Sequence, residues 1–235
     1  MTTAVVVAAA GRGQRLGPGA PKALRELAGE PLIVHAVRSL VAAPSVDLVL
    51  VAAPPEQVGA IRAMLADVLP DRVALVVVAG GSSRVESVRR ALEVMPAEVE
   101  VVLVHDAARA LVPAALVESV IAAVRAGATA VVPAIAVADT IKTVDDARVV
   151  TATVDRSALW AAQTPQGFSR TVLMAAHEAA VSRSDPADVT DDAGLVERIG
   201  GRVVVVPGSD EAFKVTGPLD LVLAAAILAA RRGQR

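Results

Sequence analysis

Residues 8–22 read Ala-Ala-Ala-Gly-Arg-Gly-Gln-Arg-Leu-Gly-Pro-Gly-Ala-Pro-Lys, a run of small residues that breaks into glycines, prolines and cations. Gly11 and Gly13 let a backbone come close to an anion, and Arg15 and Lys22 bring two fixed positive charges to it. A triphosphate suits such a loop. The nucleotide loop G-x-x-x-x-G-K-[ST] is excluded, because Lys22 sits between Pro21 and Ala23. The dinucleotide fingerprint is half met: Gly11-x-Gly13 is present, but its third glycine position is Leu16. The second apolar run ends Val51-Ala52-Ala53-Pro54, without the acidic residue that would hold a ribose. The plain alternative is a glycine turn with two solvated cations, and Arg15 together with Pro21-Lys22 argues against it.

Such a loop needs elements to hold it. Short, Val-rich apolar runs lie at 4–10, 47–53, 73–78, 99–104, 129–134 and 202–206, most of them apolar on both faces, as buried parallel strands are. Between and after them, helical periodicity covers 31–43, 55–68, 84–95, 113–126, 170–181, 189–199 and 218–231. The alternation predicts an α/β three-layer sandwich around a mostly parallel, Rossmann-like sheet. Residues 139–157 depart from it, with two β-rich stretches about Asp145-Asp146. They are expected to form an antiparallel hairpin inserted in the sheet, whose tip residues Asp145, Asp146 and Arg148 are solvated. One domain over 1–235 with a projecting arm at 139–157 is the expected organisation.

Composition narrows the setting. The 235 residues suffice for a large core, and the net charge of −2 with no basic tail argues against a nucleic-acid coat. No cysteine is present, so disulfides and thiolate metal sites are excluded. The N-terminal apolar run lacks a basic flank and ends early in Gly-Arg-Gly, unlike a signal peptide. No apolar stretch reaches the ~18 residues of a membrane span. Aromatics make up 1%, so no aromatic platform holds a base. A cytoplasmic protein is expected.

Seven stretches in order carry a family resemblance: the opening loop, "AGGSSRVESV" (79–88), "VHDAARALV" (104–112), "DTIK" (139–142), "TVDRSALWAAQTPQGF" (153–168), "VTDDAG" (189–194) and "FKVTGPLDL" (213–221). Together, from about residue 4 to 231, they resemble the 2-C-methyl-D-erythritol 4-phosphate cytidylyltransferases, among the sugar- and polyol-phosphate nucleotidyltransferases. The resemblance implies transfer of CMP from CTP to a polyol phosphate with release of pyrophosphate, a Mg2+ requirement and a homodimer. It assigns charge stabilisation in the transition state to Arg15 and Lys22, and nucleotide contacts to Ala9, Ala10, Gly11, Gly13, Gly81, Ser82, Ser87 and Ala107. It places Asp106, Arg109, Thr140, Arg156, Thr164, Thr190 and Lys214 at the polyol phosphate, with Arg156 reaching the neighbour's site.

The chemistry of those residue types agrees. Asp106 closes an apolar run, and a single carboxylate with phosphates and water suits Mg2+. Arg156 and Lys214 combine a bidentate clamp with a compact charge. Other residues have structural readings: His105 and His35 as core histidines, and Thr190, Asp191 or Asp192 as the cap of the following helix. Around 79–88, a glycine turn with a serine N-cap is the structural counterpart of base recognition. Ala110 stands where the family usually has proline, and Ser82 where some members have aspartate. Two other functions share these features: ribitol 5-phosphate or another sugar-phosphate nucleotidyl transfer, and a nucleotide-binding regulator or dehydrogenase on the same fold.

Overall fold

The computed structural model describes residues 1–11, 20–182 and 189–233. Strand β1 (Thr2–Ala8) precedes the short pair β2 (Glu26–Leu27) and β3 (Glu30–Pro31), then α1 (Leu32–Val41) and β4 (Leu48–Ala53). Helix α2 (Val58–Ala66) leads to β5 (Ala74–Ala79), α3 (Arg84–Glu93) to β6 (Val99–Asp106), and α4 (Ala114–Arg125) to β7 (Ala130–Ala136). There follow β8 (Ile141–Val144), β9 (Val150–Val154), β10 (Trp160–Ala162), β11 (Gln166–Ser169), α5 (Arg170–Ser182), α6 (Asp192–Arg198), β12 (Val203–Pro207) and α7 (Pro218–Gly233).

The main sheet runs β10-β7-β11-β6-β1-β4-β5, with β12 also on β7. Strand β1 pairs in parallel with β4 and β6, and β4 with β5. The continuous apolar character of β1 and β4 follows from cover on both faces. Val5 and Val7 pack with α1, α2 and α4 in one core, and Ala4 and Val6 pack with α3, α5 and α6 in the other. Each buried valine contributes roughly 1.5–3 kcal/mol, so a charge at Val6 would undo the centre of the sheet. Helix α7 and the β2–β3 region close a smaller third core around Leu27, Leu111 and Ala224. The expected α/β three-layer architecture is present.

The hairpin differs from expectation in its place. Strands β8 and β9 pair antiparallel with each other as a separate two-stranded sheet, Ile141 opposite Val154, and are not inserted in the main one. The position beside β6 is taken instead by β11, antiparallel to both β6 and β7. The sequence hides β11 because "QGFS" has no apolar run. Gly167 is there for close approach: a Cβ would lie 2.5 Å from Val120 Cγ1 on α4. The hairpin leaves Ile141, Val144, Val149 and Val150 exposed, and just beyond it the sole tryptophan, Trp160, is 52% exposed at the start of β10. Its tip closes on Asp145, whose carboxylate accepts from the Val149 N–H at 2.9 Å.

Two helix starts bear on the site. Ser83 caps α3, its Oγ accepting from the Glu86 N–H at 3.1 Å. Asp191 caps α6, its Oδ1 accepting from the Gly194 N–H at 2.9 Å, so among the three candidates at 190–192 it is Asp191 that caps.

Candidate active site

A cleft of about 1010 Å³ opens at the carboxyl ends of β1, β4, β5 and β6. Its wall takes Ala8–Gly11 after β1, Pro54–Glu56 after β4, Gly80–Ser83 after β5 and Asp106–Ala108 at the end of β6, with Lys22 and Lys214 facing in. Ligands gather there in parallel α/β sheets because the strand-to-helix loops present free backbone groups. Lys22 opens a short 3-10 turn, and its backbone N–H donates to Gly11 O at 3.3 Å, so the two ends of the glycine-rich excursion meet. Arg15 and Gly13, both expected here, lie outside the described residues.

Asp106 is the electrostatic centre. Its Oδ1 accepts from Arg84 Nε at 3.0 Å and its Oδ2 from Lys214 Nζ at 2.6 Å. Burial alone would raise its pKa, but Arg84 and Lys214 outweigh burial and hold it well below the usual carboxylate range. It is therefore ionised at any physiological pH. Lys214 is brought in by the next residue, Val215, whose N–H donates to Ala108 O at 2.8 Å. Behind Asp106, its own N–H donates to Thr164 Oγ1 at 3.1 Å, and Thr164 Oγ1 lies 3.1 Å from His105 Nδ1. His105 Nε2 in turn is 3.1 Å from Arg109 O. Burial pushes His105 down to about 4, so it is neutral at pH 7 and its role is structural. His35 also sits in the core, buried with Nε2 2.8 Å from Leu27 O.

The turn after β5 is held shut by its own helix. Ser87 Oγ donates to Ser83 O at 2.7 Å and accepts from the Gly81 N–H at 3.0 Å. Glu86 reaches back to Ser82, accepting from its N–H and its Oγ at 2.7 Å each. Those bonds, with one from Arg90, hold the Glu86 carboxyl down at about 2. The serine cap and the expected base-binding surface are thus one object, since the same turn lines the cleft.

Ala9, Ala10, Gly11, Lys22, Gly81, Ser82, Ser87, Asp106, Ala107 and Lys214 all border this single cleft. The Ala107 N–H is engaged, donating to Ala8 O at 3.3 Å. Thr164 is buried behind Asp106 and holds it in place. Arg109 ties the β6 loop down, its guanidinium donating to Ala212 O at 2.7 Å and Ala162 O at 3.1 Å. Thr190 is exposed beside the α6 cap. Thr140 and Arg156 stand exposed at the foot of the hairpin and do not border the cleft of their own chain. Two participants, Glu86 and Arg84, escaped the sequence reading, and Asp192, expected only as a possible cap, instead accepts from Arg84 Nη1 at 2.6 Å. The only sequence signal for Glu86 is its S-x-x-E spacing from Ser83; the pairing of Arg84 with Asp192 gives none, the two being 108 residues apart.

Among the described residues no group of three or more His, Asp or Glu side chains converges as a metal cage. A hard cation here would share the Asp106 carboxylate with Arg84 and Lys214, which engage its two oxygens, and draw its other oxygens from phosphate and water, as Mg2+ does.

Residues 3–230 match the family model of 2-C-methyl-D-erythritol 4-phosphate cytidylyltransferase. The chain is similar to the protein of that name from Streptomyces avermitilis, 56% identical over 98% of this chain and 93% of the relative. It is also similar to the crystal structure of the Thermus thermophilus protein of that name, with TM-score 0.76 and 35% identity over 97% of this chain and 98% of that one. A further likeness is to the 4-diphosphocytidyl-2C-methyl-D-erythritol synthase from Anaerococcus prevotii, with TM-score 0.83 and 26% identity over 97% and 98% of the two chains.

Proposed function

The chain belongs to the 2-C-methyl-D-erythritol 4-phosphate cytidylyltransferase family, and from that premise we propose that its cleft joins CTP to 2-C-methyl-D-erythritol 4-phosphate. The products are 4-diphosphocytidyl-2-C-methyl-D-erythritol and pyrophosphate, in non-mevalonate isoprenoid precursor synthesis. The observation that carries this reading is the placing of Lys22, Asp106 and Lys214 along one cleft with the glycine-serine turn 80–83.

An oxygen of the polyol phosphate attacks the α-phosphorus of CTP, and the bond from that phosphorus to the bridging oxygen breaks, its electron pair leaving with pyrophosphate. The nucleophile is already ionised at neutral pH, so no base is required, and neutral, buried His105 is not one. Catalysis is then positioning and charge stabilisation. Arg15 and Lys22 meet the charge that builds on the α-phosphate and leaving group. The turn 80–83 reads cytosine through backbone and hydroxyl groups, which suffice for its amino donor and its carbonyl and ring-nitrogen acceptors. Asp106 would hold Mg2+, which supplies charge neutralisation on the phosphate oxygens. Lys214, which borders the cleft, is assigned to the polyol phosphate, and the family's pattern adds Arg109 and Thr190, which do not border it.

Thr140 and Arg156 complete the site of a second copy. A two-stranded sheet is marginal alone in water, and this one exposes Ile141, Val144, Val149 and Val150. A two-fold homodimer in which each hairpin covers its neighbour buries these residues and brings Arg156 to the partner's cleft. No helix among the described residues is long and apolar enough to cross a membrane, and a cytoplasmic enzyme using the CTP pool is the matching setting.

Pyrophosphate release over a matrix of four nucleoside triphosphates and several polyol phosphates tests the reading. CTP with methylerythritol phosphate should dominate. Equal turnover with ATP or GTP would refute the base turn, and a preference for ribitol 5-phosphate would refute the substrate.

A further inference from the structure

Arg84, the first residue of α3, lies between two carboxylates from distant elements. Its Nε is 3.0 Å from Asp106 Oδ1 and its Nη1 2.6 Å from Asp192 Oδ2. Asp192 is 0% exposed, and its other oxygen, Oδ1, is 2.9 Å from Nε2 of the equally buried His177 on α5. Arg84 Nη2 is buried and makes no hydrogen bond among the described residues, so those two carboxylates alone set where the guanidinium points. Burial disfavours the charge on Arg84, and Asp192 and Asp106 outweigh it. Such a buried ionic row is poor justification for stability alone, since well-packed apolar residues would often serve as well.

We propose that Asp192 and His177 are positioning residues for Asp106, acting through Arg84 to keep that carboxylate aimed and available to a divalent cation. The inference rests on the reading of Asp106 as the metal-holding residue. Asp106 faces two cations, Arg84 and Lys214. Alone against both, it would be a poor ligand, because an approaching cation would meet net positive charge. Asp192 takes up the second face of Arg84 and restores the balance, with two cations against two carboxylates. His177 fixes Oδ1 of Asp192 and so leaves Oδ2 turned to Arg84. Neither residue borders the cleft.

The test is binding of Mn2+, followed by electron paramagnetic resonance, to the full chain with a CTP analogue whose α,β bridging oxygen is replaced by methylene. Asp192→Asn should weaken Mn2+ binding about 10-fold or more, the size expected when a ligand's outer partner is lost. The kcat should fall by a similar factor while KM for the polyol phosphate stays within about twofold. His177→Leu should do the same, and His177→Gln, which still offers a donor, should recover most of the loss. If Asp192→Asn does not fold, Arg84→Met combined with Asp192→Asn decides: it removes one charge of each sign, so Mn2+ should bind near wild-type strength while kcat stays low. Folded Asp192→Asn or His177→Leu single variants that bind Mn2+ as the unaltered chain does, whatever their melting temperature, overturn the inference. So does a double variant that binds Mn2+ poorly. Pyrophosphate release by the unaltered chain tests the underlying reading separately, since an active chain with an indifferent Asp192→Asn variant sinks this inference alone.

Discussion

His105 shows how a residue beside the chemistry can be kept out of it. It sits next to Asp106, yet burial holds it down at about 4 and its ring is spent on Thr164 and the Arg109 carbonyl. The unfolded chain takes up that proton near pH 6.5. The stabilisation present above that pH is therefore lost as pH falls from 6.5 through about 4, at about 1.4 kcal/mol per pH unit. Urea unfolding at pH 7 and pH 5 should show this slope, and His105→Gln should flatten it; equal slopes would show that another group titrates. Asp106 is the opposite case, with its charge secured. Asp106→Asn should keep the far-ultraviolet circular dichroism of the native chain and lose roughly 100-fold or more in rate, by comparison with deleting a transition-state charge partner. Near-normal turnover would show the carboxylate to be misassigned. At this scale residues picked out by a local motif, such as Lys22 and Asp106, do border one cleft. The sequence did not reveal the pairing of Arg84 with Asp192, because 108 residues separate them and Asp192 alone reads as one more candidate for the cap of its own helix.

Elements were legible wherever burial imposes a period. The six Val-rich runs became strands, the central ones covered on both faces of the sheet, and the helical stretches fell within a few residues of α1 to α7. Strand β11 was not, since its place comes from partners on both sides rather than from its own composition. The junction between β5 and α3 depends on a glycine for a reason the sequence only hints at. A Cβ on Gly80 would come 2.5 Å from Ala10 Cβ, 3.0 Å from Ser87 Oγ and 3.2 Å from Ala53 O, and none of these is a flexible side-chain end. Gly80→Ala should cost about 1–3 kcal/mol and push the base turn away from the β1 loop. KM for CTP should rise well above any change in KM for the polyol phosphate. Unchanged values would mean the two loops are not locked together.

For the molecule as a whole, the separate hairpin raises the question of which cleft Arg156 serves. Lys22 lines its own cleft and Arg156 does not. If the proposed dimer forms, Lys22→Ala and Arg156→Ala should each be nearly inactive when pure. In a mixed dimer one site collects both defects and the other has neither. Random exchange makes about half of the dimers mixed, so roughly a quarter of normal activity should return. If exchange is demonstrated and nothing returns, Arg156 acts within its own chain. The hairpin itself was visible in the sequence as two β-rich stretches, but its detachment from the sheet was not, because that depends on β11 occupying the neighbouring position. Trp160, just past the hairpin, carries one more consequence. With one tryptophan and no tyrosine, the ultraviolet luminescence of this protein comes from a single half-exposed indole at the hairpin's foot. Its colour therefore reports on one neighbourhood alone: emission near that of free indole on dilution, shifting to shorter wavelength as copies associate over the hairpin, with no label attached.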